Sequence, residues 1–464
     1  MNNRKVNTIT LYNFLSTLVL SGINFLTIPI FTRMLGTVQY GFYSVFNAWL
    51  AIASCIMGLK LHSSFGTAIY TFKDSYKDYR KSIFELGMLV NILICVVFLI
   101  VYCVKGFWNV VGWSVVICFL LSALANYVVE FVQLSFIYEK KARVNFYISV
   151  GLAITSVILS FLLIRIGNLE DSYLLRAWGV AIPYGICAVA LSGYVLLSGK
   201  NNKDRKAYWN YAVTIGTPIV FHALSQNVLT QSDRVMMEYF GCEPSIIGIY
   251  SFFYTFTNIL AIVLNALNNS WVPFYYDDLS EKKYDQLKIK RRNYIELFTV
   301  LCCGFLLLSR EVSYWFSGIE YSSGVNIVPF LVIATYLIFT YQFAVNFEFY
   351  NRKTKIIAIG TCLSGILNII LNAIMIPMWG MYGAALATAI SYGMLVIVHF
   401  QICGRIKEMR FDFEFLPILV GFFIVVFMCI GFVFLKDYII LRWLCAFSLG
   451  SMEVYRIIRR KRIF

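Results

Sequence analysis

Phe422-Phe-Ile-Val-Val-Phe-Met-Cys-Ile-Gly-Phe-Val-Phe434 holds no charged side chain, and Val90-Asn-Ile-Leu-Ile-Cys-Val-Val-Phe-Leu-Ile-Val101 is nearly as apolar. A strand of a membrane barrel alternates apolar and polar positions over about ten residues, and neither stretch alternates. Hydrocarbon offers no hydrogen-bond partner to a peptide group. A continuous apolar run in lipid therefore closes its backbone bonds within itself, as an α-helix does. The composition agrees: 60% of the 464 residues are hydrophobic and 14% charged, with a mean hydropathy of +0.73. A soluble domain carries about a quarter charged residues.

Working outward from these runs, apolar stretches near the ~20 residues needed to cross a bilayer recur along the whole chain. They predict an all-α polytopic membrane protein of about fourteen spans: 8–31, 40–61, 83–104, 110–138, 144–166, 173–198, 208–232, 247–275, 292–315, 325–349, 356–378, 381–403, 415–434 and 438–456. Alternate loops then sort the cations. One set, which includes Lys60, Arg80, Lys140, Lys141, Arg352 and Arg459-Arg460-Lys461-Arg462, holds about 31 of the 39 Lys and Arg residues. The other keeps Arg33, Lys105, Arg165, Arg176, Arg234, Arg310, Lys436 and Arg442. The positive-inside rule makes the first set cytoplasmic and places both termini inside. The formal charge of +15 is thus explained by loops beside anionic headgroups, with no nucleic-acid partner expected. The cations at Arg4 and Lys5 precede a run broken by Asn13, Ser16, Thr17 and Asn24, which reads as a retained first span. Twelve scattered cysteines, three histidines and no C-x-x-C pair predict neither a metal nor a cofactor nor a disulfide.

An internal repeat organises the spans. Leu35-Gly36-Thr-Val-Gln-Tyr-Gly41-Phe-Tyr43-Ser44 is echoed by Phe240-Gly241 and, farther on, Gly248-Ile-Tyr250-Ser251. Tyr138-Glu-Lys140-Lys141-Ala-Arg143 pairs with Tyr350-Asn-Arg352-Lys353-Thr-Lys355, and Ala181-Ile-Pro-Tyr184-Gly185 with Ala389-Ile-Ser-Tyr392-Gly393. Two parallel six-helix repeats follow, 1–198 and 208–403, joined by a polar linker at 199–207, with helices 13 and 14 and a basic tail at 404–464 as an appendage. Parallel repeats of this kind rock about a central site in alternating-access transporters.

Polar residues inside spans need a reason, since a charge at the bilayer centre costs about 2.5–3.5 kcal/mol even on the gentler scale. Asn13, Thr17, Ser21, Asn24 and Thr27 share a face of the first span, and His222, Gln226, Thr230 and Asp233 a face of the seventh. The eighth offers Tyr254, Asn258, Asn265 and Asn268. Each stripe reads either as helix–helix hydrogen bonding or as the lining of a watery cavity. Arg33 and Asp233-Arg234, near the ends of their spans, are either snorkelling or ion-paired residues or contacts for an anionic headgroup. Glu130, two turns inside the fourth span, is either a hydrogen-bonded structural acid or an ion-coupling group. Pro29 and Pro218, on the first span of each half, are candidate hinges.

Thr27-Ile-Pro29-Ile-Phe-Thr-Arg33-Met-Leu-Gly36 with Tyr40-Gly41-Phe-Tyr43-Ser44 resembles the opening of the polysaccharide-exporter family, the Wzx-type flippases. Ser232-Asp233-Arg234 through Tyr250-Ser251 resembles its second-half signature, and Asn368-Ile-Ile-Leu-Asn372 through Pro377 and Gly380 to Thr388 its helix 11–12 hallmark. The superfamily also contains multidrug exporters and lipid II flippases. The resemblance implies a flippase in a bacterial cytoplasmic membrane, with a cationic cavity for an undecaprenyl-pyrophosphate-linked oligosaccharide. Its cargo would serve capsule, O-antigen or another surface polysaccharide. It also implies a monomeric transport unit working beside membrane lipids, a polysaccharide polymerase and assembly proteins. The alternatives are an ion-coupled multidrug exporter and an integral-membrane polymerase. Short outer loops without an acidic metal motif count against the second, so no enzyme is expected.

Overall fold

The computed structural model describes the chain apart from residues 1–2, 106–110, 201–203, 407–413, 461–462 and 464, and apart from the side chains of 3–10, 13–14, 17–18 and 24 in the first helix. Among the described residues there is no strand. The long helices are α1 (Asn3–Ile56), α3 (Tyr76–Val104), α4 (Trp113–Tyr138), α5 (Ala142–Ile166), α6 (Ser172–Ser198), α7 (Arg205–Tyr239), α8 (Pro244–Ser280), α9 (Tyr284–Ser317), α10 (Val328–Tyr350), α11 (Thr354–Trp379), α12 (Met381–Cys403), α13 (Phe415–Leu435) and α14 (Ile439–Arg460), with a short α2 (Phe65–Thr71) after α1. Helix α1 is two helices, 3–35 and 37–56, meeting at Gly36 with φ 64° and ψ −179°, a conformation open in practice to glycine alone. Two helices from α1 and twelve from α3 to α14 make the fourteen that the apolar runs predict.

Among the described residues, ten segments are long and apolar enough to cross a membrane. Helices α7, α9 and α14 fall outside that set, and for α9 and α14 the reason is mutual. Arg442 of α14 donates to Glu311 of α9 through both terminal nitrogens, Nη1 at 2.9 Å from Oε2, and Nη1 also reaches the Leu307 carbonyl at 2.6 Å. Toward the other end Glu296 of α9 takes Arg456 and, at 2.7 Å, Arg460. These charges lower the mean hydropathy of both helices, yet Arg442 is fully buried. The opposite face of α14 exposes Ile440, Leu444, Phe447, Tyr455 and Ile458. A helix with its charges inside and its apolar side chains outside is built for lipid. Helix α14 is therefore tied to α9 by ion pairs.

The chain divides by packing into two compact units, Met1–Gln231 and Ser232–Phe464. The boundary falls within α7 instead of at the polar linker, because the start of α7 is built into the first unit's aromatic core. Tyr208 and Tyr211 meet Phe72 and Tyr79 edge to face, and the Trp209 indole donates to Ser82 Oγ at 3.0 Å. In the second unit, Tyr294, Phe298, Tyr336, Phe339 and Phe343 form a continuous ring stack between α9 and α10.

One sequence echo has the same backbone in both copies. At the end of α4 the Lys141 N–H donates to the Phe136 carbonyl at 2.8 Å and the Lys140 N–H to Ile137 at 3.1 Å. At the end of α10 the Lys353 N–H donates to Glu348 at 2.9 Å and the Arg352 N–H to Phe349 at 3.0 Å. Both are Schellman turns with a non-glycine residue in the left-handed position, Lys140 at φ 61° and Arg352 at φ 57°. Gly36 and Gly241, aligned by the first echo, likewise share a positive φ.

The α9–α14 contact predicts a specific asymmetry. Arg442→Ala, which strands Glu311, should destabilise the protein by about 3–5 kcal/mol, whereas Arg442→Met with Glu311→Leu should recover most of that loss. Thermal unfolding of the purified protein in detergent measures both.

Candidate functional site

In the first unit the helix of α1 gives way at Met57–Ser64 to a tight 3-10 stretch, five residues earlier than the apolar run suggests. Gly58, Leu59 and Lys60 stand consecutively at φ 58°, 48° and 48°. A side-chain-bearing residue in this region sets Cβ against a carbonyl oxygen, at a cost of roughly 1–2 kcal/mol each. Such strain persists only where the surroundings over-determine it. Here the Gly58 N–H donates to Asn91 Oδ1 of α3 at 2.6 Å, and the Tyr127 ring of α4 fills the space beside Gly58. From α7, Gly216 approaches so closely that a Cβ there would lie 2.8 Å from the Leu59 carbonyl oxygen.

The turn delivers Lys60 to Glu130. Lys60 Nζ lies 2.7 and 2.9 Å from the two carboxylate oxygens of Glu130, and His62 Nε2 lies 3.3 Å from Oε1. Lys60 and His62 are mostly buried, whereas the Glu130 side chain is 47% exposed. The lone acid that hydropathy picks out in α4 is one half of an ion pair. Lys60, expected in a basic loop, is the other. Periodicity could not show this, because a left-handed turn interrupts the helix.

In the second unit the two resemblance motifs that lie there, the Ser232–Ser251 signature and the Asn368–Thr388 hallmark, converge on one buried polar knot. Asp233, fully buried on α7, accepts from Asn372 Nδ2 of α11 at 2.8 Å, from Tyr250 Oη of α8 at 2.5 Å and from Thr388 Oγ1 of α12 at 3.2 Å. Ser232 Oγ and Asn372 Nδ2 both donate to Asn368 Oδ1 at 3.1 Å. Arg234, also buried, donates from Nε to Ser251 Oγ at 3.1 Å and lays its guanidinium over the Tyr254 ring at 4.5 Å. Asp233 and Arg234 thus bind four helices of this unit together. Tyr250, Asn372 and Thr388 were legible as motif residues, while their meeting at one carboxylate needed the fold.

The remaining candidates are placed as follows. Arg33 is exposed on α1, three residues before the Gly36 break, and Asn24 lies outside the described side chains, as do Asn13 and Thr17. Arg176 of α6 stacks on Phe31 at 3.2 Å and on Tyr43 at 4.8 Å, one ring on each side of that break. The two candidate hinges differ from that break: α1 runs on through Pro29 and breaks only at Gly36, and α7 runs on through Pro218. His222 and Gln226 are half-buried on α7. Asn258 and Asn265 are exposed on α8 and stay out of the knot, while Asn268 accepts from Asn346 at 2.9 Å. One pair escaped the sequence reading: Glu348 of α10 and His399 of α12, both fully buried, lie 2.7 Å apart. An acid near the end of an apolar run is the signal that could have pointed there.

Comparison with known proteins decides the family. Residues 8–276 match the family model described as "Polysaccharide biosynthesis protein". The chain belongs to this polysaccharide biosynthesis protein family. Among curated relatives, a Haemophilus influenzae protein described as "Lsg locus putative protein 1" is 23% identical over 357 residues, covering 74% of this chain and 84% of the relative. Among solved structures, the fold of this family member is similar to that of the lipid II flippase MurJ in an inward closed conformation, with a TM-score of 0.64 at 14% identity. That likeness covers 98% of this chain and 99% of the other. A Vibrio cholerae MATE transporter, VcmN, is similar with a TM-score of 0.53 at 13% identity, covering 87% of this chain and 97% of the other. The chain is a multi-pass membrane protein whose fold is similar to that of the lipid II flippase and the MATE transporter.

For the polysaccharide biosynthesis family protein, the knot makes a direct prediction. Asp233→Leu removes the acceptor of three donors in a buried site, each costing about 1–3 kcal/mol when left unmet. The variant should unfold at a markedly lower temperature than Asp233→Asn, which keeps one acceptor oxygen, as read by thermal unfolding in detergent.

Proposed function

We propose that this protein is a flippase that moves undecaprenyl-pyrophosphate-linked oligosaccharide units from the cytoplasmic to the outer leaflet of a bacterial cytoplasmic membrane by alternating access. The observation that carries the reading is the match of residues 8–276 to the polysaccharide biosynthesis family. The likeness to a lipid II flippase supports it, because it extends over 98% of the chain and so takes in α13 and α14. In this reading the basic loops and both termini face the cytoplasm, surface-polysaccharide polymerase and assembly proteins receive the product, and the chain carries out transport without covalent chemistry.

The energetics suit such a cargo. A sugar–pyrophosphate headgroup left in hydrocarbon would lose its hydrogen bonds to water without replacement. Its diphosphate diester carries about two negative charges, and each is worth ~2.3 kcal/mol per 100 mV across the membrane. A cell interior at negative potential therefore favours outward movement by ~4–5 kcal/mol at 100 mV. Arg33, exposed on α1, is suited to meet a phosphate, since guanidinium pairs with it through two parallel hydrogen bonds.

Deleting the gene should cause lipid-linked oligosaccharide to accumulate on the inner leaflet, measured by leaflet-selective labelling. Normal outer-leaflet delivery with no compensating transporter overturns the proposal. Drug sensitivity without lipid accumulation assigns the protein to drug efflux instead. Arg33→Ala should lower delivery at unchanged protein level.

A further inference from the structure

The Lys60–Glu130 pair is held differently from the ion pairs of Arg80 and Arg442. Arg80 donates to Glu139, to Ser135 and to Ser198, and Arg442 to a carboxylate and two carbonyls. Among the described residues Lys60 instead bonds through its side chain to Glu130 alone, and Glu130 is half exposed. The position of Lys60 does not depend on that carboxylate. Asn91, Tyr127 and Gly216 hold the turn through neutral contacts with Gly58 and Leu59. Glu130 also has a second partner in reserve: His62 Nε2 sits 3.3 Å from Oε1, and the buried His62 Nδ1 has no hydrogen-bond partner among the described residues. Cys55 and Asn227, the nearby polar groups on α1 and α7, bond to each other at 3.0 Å and are neutral.

From this we infer that Lys60 is an anion-receiving cation: a pyrophosphate headgroup takes it over from Glu130, and His62 keeps the released carboxylate. The inference rests on the flippase reading for its ligand class and on the geometry of the turn for its residue. Lysine suits the exchange. Its ammonium is a compact point charge that binds phosphate without requiring one fixed bidentate geometry. The strained turn suits it too, because a cation on a frayed helix end would follow its carboxylate, whereas this one stays where the backbone puts it.

The test is binding of radiolabelled inorganic pyrophosphate to the purified full-length protein in detergent, with thermal unfolding as the check on folding. Lys60→Gln should weaken binding at least tenfold, while Glu130→Gln, which removes the internal competitor, should strengthen it severalfold. A pair that is only structural would weaken binding in both variants or change it in neither, and either outcome overturns the inference. Should Lys60→Gln fail to fold, Lys60→Gln with Glu130→Gln removes both charges together; it should fold and not bind, and wild-type binding by this variant overturns the inference. Geranyl pyrophosphate displacing the label at least as well as unlabelled pyrophosphate assigns the site to a lipid headgroup; displacement by free pyrophosphate alone overturns that assignment. Loss of binding in Lys60→Gln, together with normal lipid delivery after gene deletion, would uphold the site and reject the flippase.

Discussion

A carboxylate or guanidinium at membrane depth must find its counter-group within the protein, because lipid offers none, and this constraint shapes each unit. Glu311 and Arg442 fix α14 on α9. Asp233 draws donors from α8, α11 and α12. Arg80 of α3 joins the end of α4 to the end of α6 through Glu139 and Ser198. Apolar contact alone would not specify these neighbours, since one lipid-facing leucine packs on another helix much as it packs on an acyl chain. The polar bonds select the partners, and the aromatic stacks fill the space between them.

The same constraint explains what could be seen from the sequence. Most of the helices were legible because a span must be long and apolar, and the break between the first two coincides with Gly36, a residue marked by the repeat. The turn pairing Lys140 with Arg352 was legible because a short basic motif recurred, and both copies take the same left-handed step. Glu130, Asp233 and Arg234 stood out as charges in apolar surroundings. Their partners did not. Asp233 lies 139 residues from Asn372 and 155 from Thr388, and no periodicity reports on contacts of that range.

Two backbone features follow from local chemistry that hydropathy does not report. Lys60 stands at the end of the apolar run that closes at Leu61, and a count of apolar residues cannot register three left-handed residues in succession. Helices α1 and α7 run on through Pro29 and Pro218, as a helix in a packed bundle can when neighbouring groups meet the carbonyl a proline frees. The actual break in α1 needs a conformation with positive φ and extended ψ, which proline cannot adopt and glycine can.

The choice between arginine and lysine follows the same logic. Buried Arg80 and Arg442 each distribute several N–H groups over a carboxylate and additional oxygen acceptors, so that moving either would strand multiple partners at once. A planar fork of donors rewards a fixed site. Lys60 makes one carboxylate contact from a backbone held by other residues, and that carboxylate has a neighbouring imidazole. Breaking the contact strands neither group: the ammonium stays where its turn holds it, beside the half-exposed Glu130, and the acid keeps His62. An arrangement that must hold wants arginine, and one that must let go wants lysine; this chain uses each where its surroundings match.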